Sequence, residues 1–175
     1  MAEVNAWAVV FGGAITLVGS FGGAWWSNRV QQTTKAEQLA KAFKGELTAI
    51  LHIVTVRDYA GGMRAWAAKC IEDNQIYGYV VHVREEYRAI YKGNASNLGL
   101  LKGSLPADIA IVYTQVAAVL EEFATQREYS DQGKLNYLTP TPHAAHARLT
   151  RAAEMVDDTT RRASELIEEI GREYP

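Results

Sequence analysis

His143 and His146 stand three residues apart, so they share one helix face if the helix has already begun there. Two imidazoles are half of a zinc site. No cysteine lies nearby and the nearest acid downstream is Glu154, so the two read as a surface pair at a helix start. Adjacent acids recur at Glu85 and Glu86, Glu121 and Glu122, Asp157 and Asp158, and Glu168 and Glu169. Helical neighbours point about 100° apart, and such pairs rarely share a proton as general acid and base. Solvated faces are expected, with Arg161 and Arg162 as i, i+4 partners. His52 and His82 are isolated, and Cys70 is the only cysteine. The serines lack a G-x-S-x-G setting, and neither a Walker lysine nor H-E-x-x-H occurs. The glycines at 61–62 and 93–103 lack the strand-before, helix-after frame of a phosphate loop. The expectation is a chain that is not an enzyme and uses no metal and no cofactor.

The stretch that would position everything else is residues 6–26, AWAVVFGGAITLVGSFGGAWW, uncharged between Glu3 and Arg29. As a helix it spans roughly 30 Å, the thickness of a bilayer core. Trp7 falls near one end and Trp25 and Trp26 near the other, with Arg29 just beyond, the places for membrane-interface anchors. A transmembrane helix is predicted. Its rival is a buried glycine-rich hairpin, since Gly12, Gly13, Gly19, Gly22 and Gly23 make a poor helix in water. Lipid tolerates glycine better. A cleaved leader is disfavoured because Glu3, and no Lys or Arg, precedes the apolar run. Ala8, Gly12, Thr16, Gly19 and Gly23 place small residues along one face, a surface on which another transmembrane helix could pack.

The basic residues Arg29, Lys35, Lys41 and Lys44 all follow the run. The positive-inside bias therefore sets the N-terminus outside and the rest in the cytoplasm, as a single-pass protein of the inner membrane. The chain has 175 residues and a net charge of −2, enough for an anchor over 1–28 and one domain over 29–175. That charge gives no basic field for nucleic acid. A lone cysteine fits a reducing compartment.

After Trp26 no proline interrupts the chain for a long way, and Leu39, Phe43, Leu47, Ile50 and Val54 form an apolar stripe at helical spacing. The membrane helix is expected to run on into the domain, with Lys35, Lys41, Lys44 and Glu46 on its wetter side. The stripe serves either core packing or a short parallel coiled coil. A break is expected at Gly61 and Gly62, then a helical face of Met63, Trp66, Ala67, Cys70 and Ile71. Residues 76–83 read as an extended segment laid over helices, 85–91 as a short helix and 92–106 as a loop tethered by Leu98, Leu100 and Leu101. Ser104 caps a helix over 106–127 with Ile109, Val112, Tyr113, Val116, Val119, Leu120 and Phe123 inward. Thr141 or Thr139 starts the last helix, to about residue 169, with Ala145, Leu149, Ala152, Met155, Val156, Thr159, Ala163, Leu166 and Ile170 inside. The fold class is mainly α: one N-terminal transmembrane helix continuing into a soluble helical bundle.

The order of a tryptophan-ended span with Ser27, Asn28 and Arg29, then LAKAFKGELTAIL and RDY, YRAIYKGNASNLGLL and LPADIAIVYTQ resembles uncharacterised bacterial single-span membrane proteins with a cytoplasmic helical domain. The resemblance covers about residues 6–125, lies at the level of architecture, and brings no activity. A non-catalytic membrane-anchored interaction protein is expected, either self-associating or an accessory subunit of a larger membrane complex. Its partners are membrane lipid and other transmembrane helices. The alternative is a membrane-anchored sensor or effector of a stress or phage-defence response.

Overall fold

The computed structural model describes the backbone of residues 6–81 and 85–175 and the side chains of 29–81 and 87–175. The described residues are mainly helical, with no strand among them. In chain order they form α1 (Ala6–Arg57), α2 (Tyr59–Glu72), α3 (Ala89–Asn94), α4 (Leu105–Asp131), α5 (Leu135–Leu138) and α6 (Pro142–Glu173), with 3-10 turns at Glu85–Arg88 and Ala95–Leu100. The helix expected to continue past Trp26 does so without a break: α1 is 52 residues long. Among the described residues no helix is long and apolar enough to cross a membrane. The span expected at residues 6–26 thus draws no support from them, and its side chains lie outside the described residues. Residues 29–35 are exposed on every side, and burial begins at Ala36. Thr33 and Thr34 satisfy their hydroxyls on the carbonyls of Arg29 and Val30, both at 3.0 Å.

Two buried clusters hold the bundle together. The first joins Leu39, Ala40, Phe43 and Leu47 of α1 to Leu105, Ile109, Val112, Tyr113 and Val116 of α4 and to Ala163, Leu166 and Ile170 of α6. The second joins Tyr59, Met63, Ala67 and Cys70 of α2 to Phe123 of α4 and to Ala145, Leu149, Ala152 and Val156 of α6. The α1 stripe is therefore core packing against α4 and α6. Complete burial of side chains such as Phe43, Leu47 and Ile109 contributes about 1.5–3 kcal/mol each.

The break between α1 and α2 falls at Asp58, three residues ahead of the glycines expected to cause it. Asp58 is left-handed, with φ 45° and ψ 51°, and its carboxylate accepts the Gly61 amide at 3.2 Å, capping α2. Gly61 and Gly62 belong to the first turn of α2, where a Cβ would collide with the Asp58 carboxylate or the Tyr79 ring. They are needed for close approach. On α2, Met63, Ala67 and Cys70 are buried as expected, but Trp66 and Ile71 face outward at 36% and 42% exposure. Trp66 instead packs edge-on against Tyr77, with ring centroids 5.2 Å apart.

Residues 75–81 are extended without a ladder, as the covering segment was expected to be. Val81 is buried and Ile76, Tyr77 and Tyr79 are partly buried against the second cluster. The Tyr79 amide donates to Gln126 Oε1 at 3.1 Å, so a helix side chain does what a neighbouring strand would do. Residues 92–100, expected as loop, coil into α3 and a 3-10 turn, and Leu101 is the buried tether while Leu100 is exposed. Ser104 sits at the α4 cap position without capping it, because its hydroxyl donates to Glu169 at 2.9 Å. Thr141, not Thr139, starts α6: its Oγ1 accepts the Ala144 amide at 3.1 Å, with Pro142 in the first turn. Met155 is 39% exposed, and Ala153 takes its expected place inside.

Candidate functional site

The two histidines do not meet as a pair. His143 is exposed, while His146 Nδ1 lies 3.0 Å from the Ala67 carbonyl of α2, so the tautomer protonated there donates to it. The surface pair expected at the start of α6 is thus one surface histidine and one tie between helices. No group of three or more metal-binding side chains occurs among the described residues.

The acid pairs also divide. Glu121 is exposed as expected, but Glu122 is only about one-fifth exposed and accepts both Arg148 Nε at 2.7 Å and Arg148 Nη2 at 2.9 Å. Gln126 Nε2 donates to the same carboxylate at 2.9 Å while its Oε1 holds the Tyr79 amide. One chain of bonds therefore runs from α6 through α4 to the extended segment. Asp157 pairs across to Arg64 of α2 instead of along its own helix. Asp158 receives Arg161 Nη2 at 2.5 Å and Arg162 Nε at 2.9 Å, and the bond from Arg161, then that from Arg162, holds its carboxyl below the usual range. Glu168 is exposed. The side chains of Glu85 and Glu86 lie outside the described residues.

Glu46, expected on the wetter side of α1, is instead half-buried at the centre of a polar cluster. Its carboxylate accepts the Ile90 amide at 2.7 Å, the Tyr91 amide at 3.2 Å and the Tyr113 hydroxyl at 2.5 Å. The Tyr91 and Tyr113 rings stack at 4.3 Å and 7°, and Phe43 meets Tyr113 edge-on at 6.0 Å. Burial, and then the bond to Glu46, pushes the Tyr113 phenol far above its ordinary range. Glu46 follows Phe43 by three residues and so sits on the shoulder of the apolar stripe, the one trace of this role in the sequence. With both oxygens occupied by protein donors, the cluster fastens α3 to α1 and α4.

A second feature was not visible from residue types at all. Where Phe43 and Tyr113 fill the gap between α1 and α4, smaller side chains further along leave an apolar cleft of about 60 Å³. Ile50, Val54, Val116, Val119, Val156 and Ala163 are among its walls, and Tyr59 and Tyr87 also line it. It lies where the two buried clusters fail to fuse.

The residues expected to work in a membrane fall on α1. Trp7, Trp25 and Trp26, and the packing face of Ala8, Gly12, Thr16, Gly19 and Gly23, have side chains outside the described residues. Arg29 is exposed on the same helix, beside Val30, Thr33 and Thr34. No family model, no curated protein and no solved structure matches the chain.

Proposed function

We propose that this chain is a non-catalytic interaction protein anchored in the inner membrane by residues 6–26, with residues 29–175 as a cytoplasmic helical domain. The observation that carries this reading is α1 itself: the helix that builds the first cluster from Ala36 onward continues unbroken through an exposed polar turn into the uncharged run. A helix that is apolar all round needs lipid or other helices around it. Trp7, Trp25, Trp26 and Arg29 are the proposed interface anchors. Ala8, Gly12, Thr16, Gly19 and Gly23 form the proposed contact with another copy or another membrane subunit. The non-catalytic part of the reading rests on Glu46, Glu122 and Asp158, whose oxygens are taken by amides, a phenol and guanidinium groups.

Alkaline carbonate extraction of membranes carrying the full chain tests the anchor: retention in the pellet is expected, and recovery in the supernatant rejects it. Orientation is read in a Cys70→Ser background with single cysteines at Ala2 and Gly133. Labelling of position 133 from outside intact cells would refute a cytoplasmic domain. The sensor reading has one observation of its own, the cleft, because the helix that carries the proposed anchor is also one of its walls.

A further inference from the structure

Residues 75–81 are the longest stretch outside helices and turns among the described residues, and their main chain is used on one edge only. The Tyr79 amide donates to Gln126 Oε1 at 3.1 Å, and the Cys70 thiol points at the Tyr77 carbonyl from 4.0 Å. In an extended chain the N–H and C=O of one residue share an edge, and the next residue uses the other. Tyr77 and Tyr79 therefore turn theirs toward α4 and α2, and Ile76, Gly78 and Val80 turn theirs away. Among the described residues no hydrogen bond reaches the main chain of these three. A row of unpaired amides and carbonyls is a template for another strand.

The segment itself says which strand. Ile76, Tyr77, Gly78, Tyr79 and Val80 read almost alike in both directions. An antiparallel pair about a twofold axis sets Gly78 against Gly78, Tyr77 against Tyr79 and Ile76 against Val80, the self-complementarity that a contact between identical chains requires. Residues 74–81 carry no charge, so the pairing opposes no like charges. At the axis glycine is already imposed from within, since a Cβ on Gly78 would press on Leu135 of α5 at 3.1 Å. Exposed apolar side chains lie on or beside the segment. Val80 is 37% exposed, Trp66, whose ring packs on Tyr77, is 36% exposed, and Tyr137, two residues after Leu135, is 76% exposed. A second copy thus covers apolar surface as well as main chain.

We propose that this edge pairs with the same edge of a second copy of the chain, the two 76–80 segments forming a twofold antiparallel ribbon centred on Gly78. Ile76, Gly78 and Val80 of each copy then exchange both main-chain bonds with Val80, Gly78 and Ile76 of the other. The contact lies within the helical domain, apart from the small-residue face of residues 8–23, and stands whether or not residues 6–26 enter a membrane.

Disulfide trapping of the full chain tests the register. In a Cys70→Ser background, tagged Ile76→Cys chains and untagged Val80→Cys chains are co-expressed and their membranes oxidised. Opposed residues lie about 5.5 Å apart at Cα, within disulfide reach, so a dimer of one tagged and one untagged chain is expected. Two Ile76→Cys chains are held roughly 14 Å apart by four residue rises and should not link. Val80→Pro removes an outward amide from each copy and should abolish the dimer that wild type shows in native mass spectrometry from detergent, with far-UV circular dichroism unchanged. Should that variant lose its helicity, the register of the links still decides. Replacing Gly19 and Gly23 by Ile should leave the link between positions 76 and 80 intact. A dimer lost in that double variant and without the link would fit a membrane contact and overturn the ribbon. A monomer, a link of like with like, or a link from position 80 to a different protein in place of a second copy would also overturn it.

Discussion

Replacing Glu46 by alanine leaves the amides of Ile90 and Tyr91 and the Tyr113 hydroxyl without their acceptor. Unsatisfied buried donors cost about 1–3 kcal/mol each where water cannot reach them, so a loss of about 3 kcal/mol is expected in urea unfolding. Glu46→Gln keeps one acceptor oxygen and should lose less. If alanine and glutamine cost the same small amount, the cluster is hydrated and holds nothing together. Tyr113 adds a pH dependence. Its folded pKa is raised, so its contribution is complete below about pH 10, the unfolded value, and is lost as the pH climbs above that. Wild type should lose stability more steeply than Tyr113→Phe between about pH 10 and pH 11, by up to about 1.4 kcal/mol per unit. Equal slopes would mean the phenol is not shielded. None of this was readable from the chain, because Glu46 looks like any polar residue beside an apolar stripe and its partners come from segments more than 40 positions away. Glu122 hides for the same reason. Its partner Arg148 is 26 residues distant, whereas the i, i+3 and i, i+4 pairs of Asp158 are visible in the sequence. Alanine at Glu121 or His143 should change stability by less than about 0.5 kcal/mol. Glu122→Ala should cost about 2 kcal/mol, because it strands a partly buried guanidinium and the Gln126 amide.

At the scale of elements, apolar spacing located every long helix, and turn chemistry located the starts of α4 and α6. Leu39, Phe43 and Leu47, and Ile109 through Phe123, recur at intervals that only a helix places on one side. The junction between α1 and α2 is not legible in this way, because glycine reads as the breaker while the residue that reverses the chain is an aspartate. An aspartate tolerates the left-handed region and caps the next helix with its own carboxylate. That division of labour predicts the order of three variants in thermal unfolding. Asp58→Gly relieves the strained φ and loses the cap, and should lie within a few tenths of a kcal/mol of wild type. Asp58→Ala keeps the strain without the cap and should cost about 1–2 kcal/mol. Gly61→Ala places a methyl against the Asp58 carboxylate and should fall between them or below. Alanine at 58 as stable as glycine would show that the cap, not the backbone, sets the junction.

At the scale of the molecule, the two buried clusters differ in one partner, α1 or α2, and share the other two helices, α4 and α6. The N-terminal half of α6 serves the α2 cluster and its C-terminal half serves the α1 cluster, while α4 contributes Val116 to one and Phe123 to the other. A helix cannot lose half its packing and keep the rest in register. The seam between the clusters therefore does not divide the protein into independent folding units. A charge placed in the first cluster should be felt in the second. Val116→Asp buries a carboxylate among Ile109, Val112 and Ala163 with no cation among the buried residues of that cluster. The cost is several kcal/mol, a large share of the stability of an ordinary domain. Hydrogen exchange should then accelerate together in α2, α4 and the whole of α6, although α2 contributes no residue to the cluster that was changed. Protection that falls in α4 and the C-terminal half of α6 but persists in α2 and residues 145–156 would mean the seam is a true boundary. In that case the halves move as separate bodies.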